Sequence, residues 1–306
     1  MWIDYVVIIL AVVAFAMQFA FTKIFEGGVK QTNATVFAML IVMNLVGTLI
    51  YLCVGGFKVD FSTFSLFWAC VLAVIMIPYY VIGIKVLSLG SLAVYSMFMM
   101  LGGMLVPFCY GLMFLNESVS WGKLVGSVCL TFFIVLQALE QNQKGQENNK
   151  QNTKTKYLFF GLCLSIFFIN GMTSVVAKVH QIGENAVNEI SFTVISCALT
   201  ALISSVLLGI SLCQKDRTQK KESLKKVFRL RSFLVMAVIG AAAYTGNFFL
   251  LKAATNVPAS VQFPLVSGGV IVLSALVSAF AFRERLSKKE WYSVAGAFLS
   301  TLFFAF

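Results

Sequence analysis

The stretch KVLSLGSLAVYSMFMMLGGMLVPFCYGLMFLNESVSWGKLVG, Lys85 to Gly126, occurs twice in this chain, the second time in altered form. The second copy begins at Lys252, turns at Thr255 to Pro258, runs apolar through Gly268 and Gly269, and closes on Glu284-Arg285-Leu286-Ser287, Trp291 and Gly296. Lys85/Lys252, Gly102/Gly269, Glu117/Glu284 and Ser120/Ser287 are each 167 positions apart. Trp121/Trp291 and Gly126/Gly296 are 170 apart, so three residues are inserted after the shared serine. Six matches in one order, set in the same pattern of apolar runs, indicate an internal repeat.

Working outward, the repeat reaches the N-terminal side of each copy. Lys23/Lys178, Gly28/Gly183, Asn33/Asn188 and Phe37/Phe192 share an offset of 155. The chain is therefore read as a first repeat over 1–140, a polar linker over 141–156, and a second repeat over 157–306.

Composition sets the class. Of 306 residues, 59% are hydrophobic and 11% charged, against about 25% charged in a soluble domain. Apolar runs of about 20 residues recur, each long enough to cross a bilayer as a helix. Barrel strands would instead alternate in runs of about ten. The expected fold is an all-α membrane protein with ten transmembrane helices. The spans are read at 2–24, 32–54, 64–87, 91–115, 120–139, 157–180, 187–213, 232–254, 258–282 and 290–305. Five spans per repeat is an odd number, so the second repeat enters the membrane inverted, a common plan in secondary transporters with a midplane solute site. The first apolar run lacks a basic n-region and an A-x-A-like site, and is expected to remain as a span.

The net charge of +11 would suggest nucleic acid in a soluble protein. Here the cations sit in loops, where they set topology and meet anionic headgroups, so no nucleic-acid partner is expected. Apart from the span-end Lys23, Lys85, Lys178 and Lys252, loops after the odd-numbered spans hold 17 Lys/Arg, and the other side holds only Lys58 and Lys123. The positive-inside rule then places both termini outside the cytoplasm of a multi-pass protein of the cytoplasmic membrane. The basic linker 214–231 is compatible with a short interfacial helix carrying Leu224, Val227, Phe228 and Leu230 on one side.

The seven cysteines form no C-x-x-C pair and lie in or beside apolar runs, and His180 has no second His or Cys nearby. No metal site, cofactor or nucleophile–base pair is readable, so an enzyme is not expected.

Ten spans in two inverted halves, each ending in Glu-x-x-Ser and a following glycine, resemble the drug/metabolite transporter superfamily, within its EamA-like group. The motifs are Glu117 to Gly126 and Glu284 to Gly296, and the resemblance covers essentially the whole chain. Lys85 and Lys252 before the turns, and Lys23 and Lys178 closing spans 1 and 6, also match. Ala16-Met17 stands where Trp-Gly is frequent in the family, and Ala38 to Val42 lacks a frequent arginine. The family's termini usually lie in the cytoplasm, opposite to the charge count here. The resemblance implies a secondary transporter of a small organic solute, a metabolite or amino acid, working by alternating access and most simply as an exporter. An antiporter of phosphorylated or nucleotide-linked sugars and a lipid-carrier flippase remain as alternatives.

In the helices that line the family's cavity, the polar residues at depth are Gln18, Tyr80, Tyr95, Asn170, Ser174, Tyr244, Asn247 and Gln262. Tyr80/Asn247 and Tyr95/Gln262 are repeat-equivalent. Polar groups in lipid need partners, so these residues either bind solute or tie helices together. No span carries an acidic residue near its centre, which argues against a proton-coupled carboxylate mechanism. Glu117 and Glu284 read as turn residues that accept from free N–H groups of the following helix. The lysines at span ends satisfy carbonyls and snorkel to the interface, or attract anionic solutes. Met97, Met99, Met100 and Met104 offer adaptable surface or ordinary packing.

Overall fold

The computed structural model describes residues 2–114, 120–147, 153–213, 223–254, 257 and 259–303. Glu117 and the first half of the basic linker, 214–222, lie outside them. The described residues are helical, with no strand among them. Ten long helices follow one another among the described residues, with one short helix at 223–227 besides: α1 (Trp2–Gly28), α2 (Asn33–Val54), α3 (Thr63–Leu89), α4 (Leu92–Phe114), α5 (Trp121–Glu147), α6 (Thr153–Gln181), α7 (Glu189–Cys213), α8 (Leu230–Ala254), α9 (Ala259–Phe280) and α10 (Lys288–Leu302). Long apolar runs offer backbone N–H and C=O groups no partner in lipid other than their own helix, which is why each run closes into one. Seven of them, α1 to α4 and α6 to α8, are long and apolar enough to cross a membrane. In α5 and α9 the apolar parts are shorter, Trp121–Phe133 and Leu265–Phe280. The chain is thus a multi-pass, all-helical membrane protein.

Helix ends differ from the expected spans where polar residues still favour a helix. α5 continues past the apolar run to Glu147 and α6 begins at Thr153, because Gln, Glu and Lys are good helix formers once backbone bonds are established. The expected linker 141–156 is therefore partly helical. α2 starts on a capping box formed by Thr32 and Thr35. It stops at Gly55, and Gly56 and Phe57 take left-handed φ values of 61 and 60. The Phe57 N–H then bonds back to the Leu52 carbonyl at 2.8 Å, which satisfies an orphan carbonyl of the last turn.

The described chain forms two compact units. One holds Met1–Ala16, Lys85–Met172 and Gly246–Phe306; the other holds Met17–Ile84 and Thr173–Thr245. Each unit draws on both halves of the sequence.

In the second unit α2 packs along α7. The two run antiparallel, since Gly55 at the end of α2 faces Ile190 at the start of α7. Their flanking segments are laced together. The Asp60 N–H donates to Ser191 Oγ at 3.0 Å, and Asn188 Nδ2 donates to Asp60 Oδ2 at 2.7 Å. Ser62 Oγ donates to the Asn185 carbonyl at 2.7 Å, and the Val187 N–H donates to Ser65 Oγ at 3.0 Å. His180 closes this end, with its Nε2 2.9 Å from Ser65 Oγ and its ring stacked 3.8 Å from that of Phe192.

In the first unit α4 packs on α9 and α5 on α10. Buried Leu92 to Met99, Leu101, Gly102, Met104 and Leu105 make α4 the most enclosed of the seven spanning helices. Met97, Met99 and Met104 thus belong to its packed surface. A Cβ on Gly102 would strike the backbone of Phe167 in α6, and a Cβ on its repeat partner Gly269 would strike Val12 in α1. Val12 and Phe167 are themselves 155 positions apart.

The Glu-x-x-Ser motif acts differently from the expectation. Glu284 does not cap the helix that follows it. Its Oε2 accepts the Leu92 N–H of α4 at 3.0 Å and the Ser278 hydroxyl. α10 is capped instead by Ser287, in a box with buried Glu290. The repeat partner Ser120 accepts the Lys123 N–H at 3.3 Å and opens α5 in the same way. A four-residue motif therefore serves two helices, the carboxylate reaching sideways to α4 while the serine starts the next helix.

Candidate functional site

Polar side chains inside apolar helices must find partners, and in the second unit they find each other. α2 is the organising element. Asn44, Gly47 and Tyr51 recur at three- and four-residue steps, so they share one face. Gly47 leaves room for an aromatic ring: a Cβ there would fall inside the Tyr244 ring of α8. Seated against that gap, the Tyr244 hydroxyl donates to Asn44 Oδ1 at 2.7 Å. Asn44 Nδ2 donates to the Leu40 carbonyl of its own helix at 2.8 Å, which fixes the amide orientation. Tyr51 meets Tyr244 edge to face, with ring centroids 6.2 Å apart. From α7, the Cys197 thiol is a hydrogen-bonding neighbour of the Tyr244 hydroxyl. From α1 and α3, Gln18 and Tyr80 are neighbours, and Tyr80 is also an electrostatic neighbour of Cys197 and Tyr244.

The cluster thus holds Gln18, Asn44, Tyr51, Tyr80, Cys197 and Tyr244, from five helices, with two amides, three phenols and a thiol, and the Glu189 carboxylate at the start of α7 acts on Tyr51 from one end. One member is left over. The Tyr51 hydroxyl is buried, with the residue 1% exposed, and meets no hydrogen-bond partner among the described residues. A buried unpaired hydroxyl costs about 1–3 kcal/mol. Its persistence beside a satisfied amide–phenol pair marks a point where a bound polar group would be stabilised.

Three of the eight residues expected from sequence, Gln18, Tyr80 and Tyr244, are brought together here. Ser174 of α6 lies in the same unit and is half-buried. The other four belong to the first unit. There Asn170 Nδ2 donates to the Met99 carbonyl at 2.5 Å, tying α6 to α4. Gln262 Nε2 donates to the Leu250 carbonyl, tying α9 to α8, while its Oε1 is buried without a partner among the described residues. Tyr95 is buried, and Asn247 is exposed on α8. The repeat-equivalent pair Tyr95/Gln262 is therefore buried on both sides, whereas Tyr80 is buried and Asn247 is not.

Asn44, Tyr51 and Cys197 were not among the expected site residues. They sit on α2 and α7, outside the helices that the family resemblance pointed to. The signal was present in the sequence: an amide, a glycine and a tyrosine at helical spacing in an otherwise apolar run.

No known protein-family model matches this chain, and no curated protein matches it.

Proposed function

We propose that this chain is a secondary transporter that moves a small organic solute, a metabolite or amino acid, across the cytoplasmic membrane by alternating access, in the direction of export. The observation that carries the reading is the buried polar cluster of the second unit, in which the Tyr51 hydroxyl has no hydrogen-bond partner among the described residues. Groups of this kind at membrane depth are costly and are kept where a solute pathway needs them. The inverted-repeat plan of ten spans is supported by two antiparallel pairs. α2 and α7 occupy equivalent places in the two repeats and meet end to start, and the start of α4 meets the end of α9 through Glu284. The recurring Gly102–Phe167 and Gly269–Val12 approaches support it further.

The test is a thermal-shift screen of the purified chain against a metabolite panel, because a ligand that binds only the folded state raises apparent stability. At a hundredfold excess over its Kd a ligand adds about 2.7 kcal/mol. A screen in which no small organic solute shifts the transition would overturn the reading.

Coupling follows from charge. No apolar span carries a carboxylate near its centre, so transport in proteoliposomes should follow the gradient of the solute found in that screen. A pH gradient should change final accumulation by less than about twofold, since a fully coupled proton would give about tenfold per pH unit. Proton-driven uphill accumulation would contradict this, and Glu189 would become the residue to test. It opens α7 and accepts a hydrogen bond from Gln181.

Topology is read from the 17 loop cations on one side. A reporter fused after Phe306 should be extracytoplasmic, and the basic 214–231 segment should resist protease added to intact cells. A cytoplasmic C-terminal reporter would reverse the assignment.

A further inference from the structure

The segment 223–231, SLKKVFRLR, carries four cations and no acid. Residues 223–227 form a short helix, and a further turn leads into α8 at Leu230. Its apolar residues do not share one side, contrary to the sequence expectation. Ser223, Leu224 and Val227 are buried and spent on the protein. Phe228 and Leu230 point the other way, at 55% and 73% exposure, among exposed Lys225, Lys226, Arg229 and Arg231.

We propose that this outward face is a binding surface for anionic phospholipid headgroups. Chain continuity places it. Leu230 is the first residue of a helix long and apolar enough to cross the membrane, so the turn before it lies where hydrocarbon gives way to headgroups. Mixed composition then selects the occupant. Four cations alone would suit any anion, but two large exposed apolar side chains among them are favourable only against a surface that is both negative and apolar beneath. A leaflet containing anionic lipid offers both at the right depth: phosphates for the cations, acyl boundary for Phe228 and Leu230. Leu224 and Val227 anchor the segment from behind, so little chain entropy is lost when lipid binds.

The experiment places a fluorophore on the surface. Phe228→Trp protein is reconstituted in vesicles of phosphatidylcholine with phosphatidylglycerol, one of the two lipids brominated in each preparation. Wild-type protein provides the background from its native tryptophans. Brominated phosphatidylglycerol should quench Trp at position 228 at least about threefold more effectively than brominated phosphatidylcholine at equal mole fraction, because each nearby cation favours anionic lipid substantially. Lys225→Gln, Lys226→Gln, Arg229→Gln and Arg231→Gln together should bring the ratio to parity. The double variant Lys226→Gln, Arg229→Gln, which keeps half the charge, should fall between and guards against misfolding of the fourfold variant. Equal quenching by the two lipids, no quenching by either, or a preference that survives charge removal would overturn the proposal. Loss of the preference on adding inorganic phosphate at constant ionic strength would also overturn it, by showing a site for a soluble anion.

Discussion

Gly102→Ala should leave little folded protein, although it adds one methyl group to a helix. The added Cβ would meet the Phe167 carbonyl oxygen, carbonyl carbon and Cα, all backbone atoms of α6. A side chain could rotate away, but a helix backbone can only be pushed off. α4 and α6 would have to part, and the Asn170 bond to the Met99 carbonyl one turn away would be stretched with them. Gly171 on α6 would lose its seat as well, because its own face lies against Val106 and the Gly102 carbonyl. Overpacking of this kind costs about 3 kcal/mol or more, and association of membrane helices depends on such close approach between small residues. The repeat partner should respond more mildly. Gly269→Ala would press on the two methyl groups of Val12, at 2.9 and 3.1 Å, and strike no backbone atom, so a small shift suffices and a cost of about 1 kcal/mol is expected. Gly161→Ala and Gly209→Ala are the controls, since nothing lies within 4 Å of either new Cβ. They should be neutral or slightly stabilising through helix propensity. Monodisperse yield in mild detergent and thermal unfolding would rank the four variants. A Gly102→Ala protein with the stability of the Gly161→Ala control would mean that α4 and α6 are not in contact as described.

The helical architecture is largely legible in the sequence, and the reason is physical. Helical periodicity and apolar length are local properties, so the helices were expected close to where they occur. The glycine pairs were visible as matched small residues at matched positions. What each glycine faces was not visible, because Phe167 and Val12 approach Gly102 and Gly269 across helices distant in sequence. The motif glutamate shows the same limit. Its place at a turn was legible, but Glu284 serves α4, whose first N–H is 192 positions away along the chain. Spacing alone pointed to the adjacent helix. The site was legible in part for a different reason. Gln18, Tyr80 and Tyr244 stood out as polar residues in expected lining helices. Asn44 and Tyr51 form the other side of the cluster; they sit on α2, outside the helices that the resemblance implicates, and only the polar periodicity of α2 points to them. In the basic segment, a single hydrophobic face was expected for four apolar residues. The short helix ends at Val227, so Phe228 and Leu230 are released from that face.

The polar cluster allows binding and stability to be separated by two tyrosines that touch each other. Tyr244 is satisfied: its hydroxyl donates to Asn44 and its ring fills the space over Gly47. Tyr244→Phe keeps the ring but strands Asn44 Oδ1 without that donor, so it should cost about 1–2 kcal/mol of stability. Changing Asn44→Leu in the same protein should recover part of that loss, because removing both partners of a buried pair is cheaper than removing one. Tyr51 is the opposite case. Its hydroxyl has no partner among the described residues, so Tyr51→Phe removes a desolvated group and should leave thermal stability unchanged or raise it by up to about 1 kcal/mol. If the hydroxyl exists to meet a solute, the same substitution should weaken binding about fivefold, the equivalent of about 1 kcal/mol for one hydrogen bond, and more if the solute group is charged. A protein that becomes no less stable yet binds its solute more weakly is the signature of a group held ready for a ligand. Tyr51→Phe protein that binds normally, measured by titration of the solute from the thermal-shift screen, would make the cluster a set of helix ties. Solute recognition would then have to be sought at Ser174 and at the residues of the first unit, Tyr95, Asn170, Asn247 and Gln262.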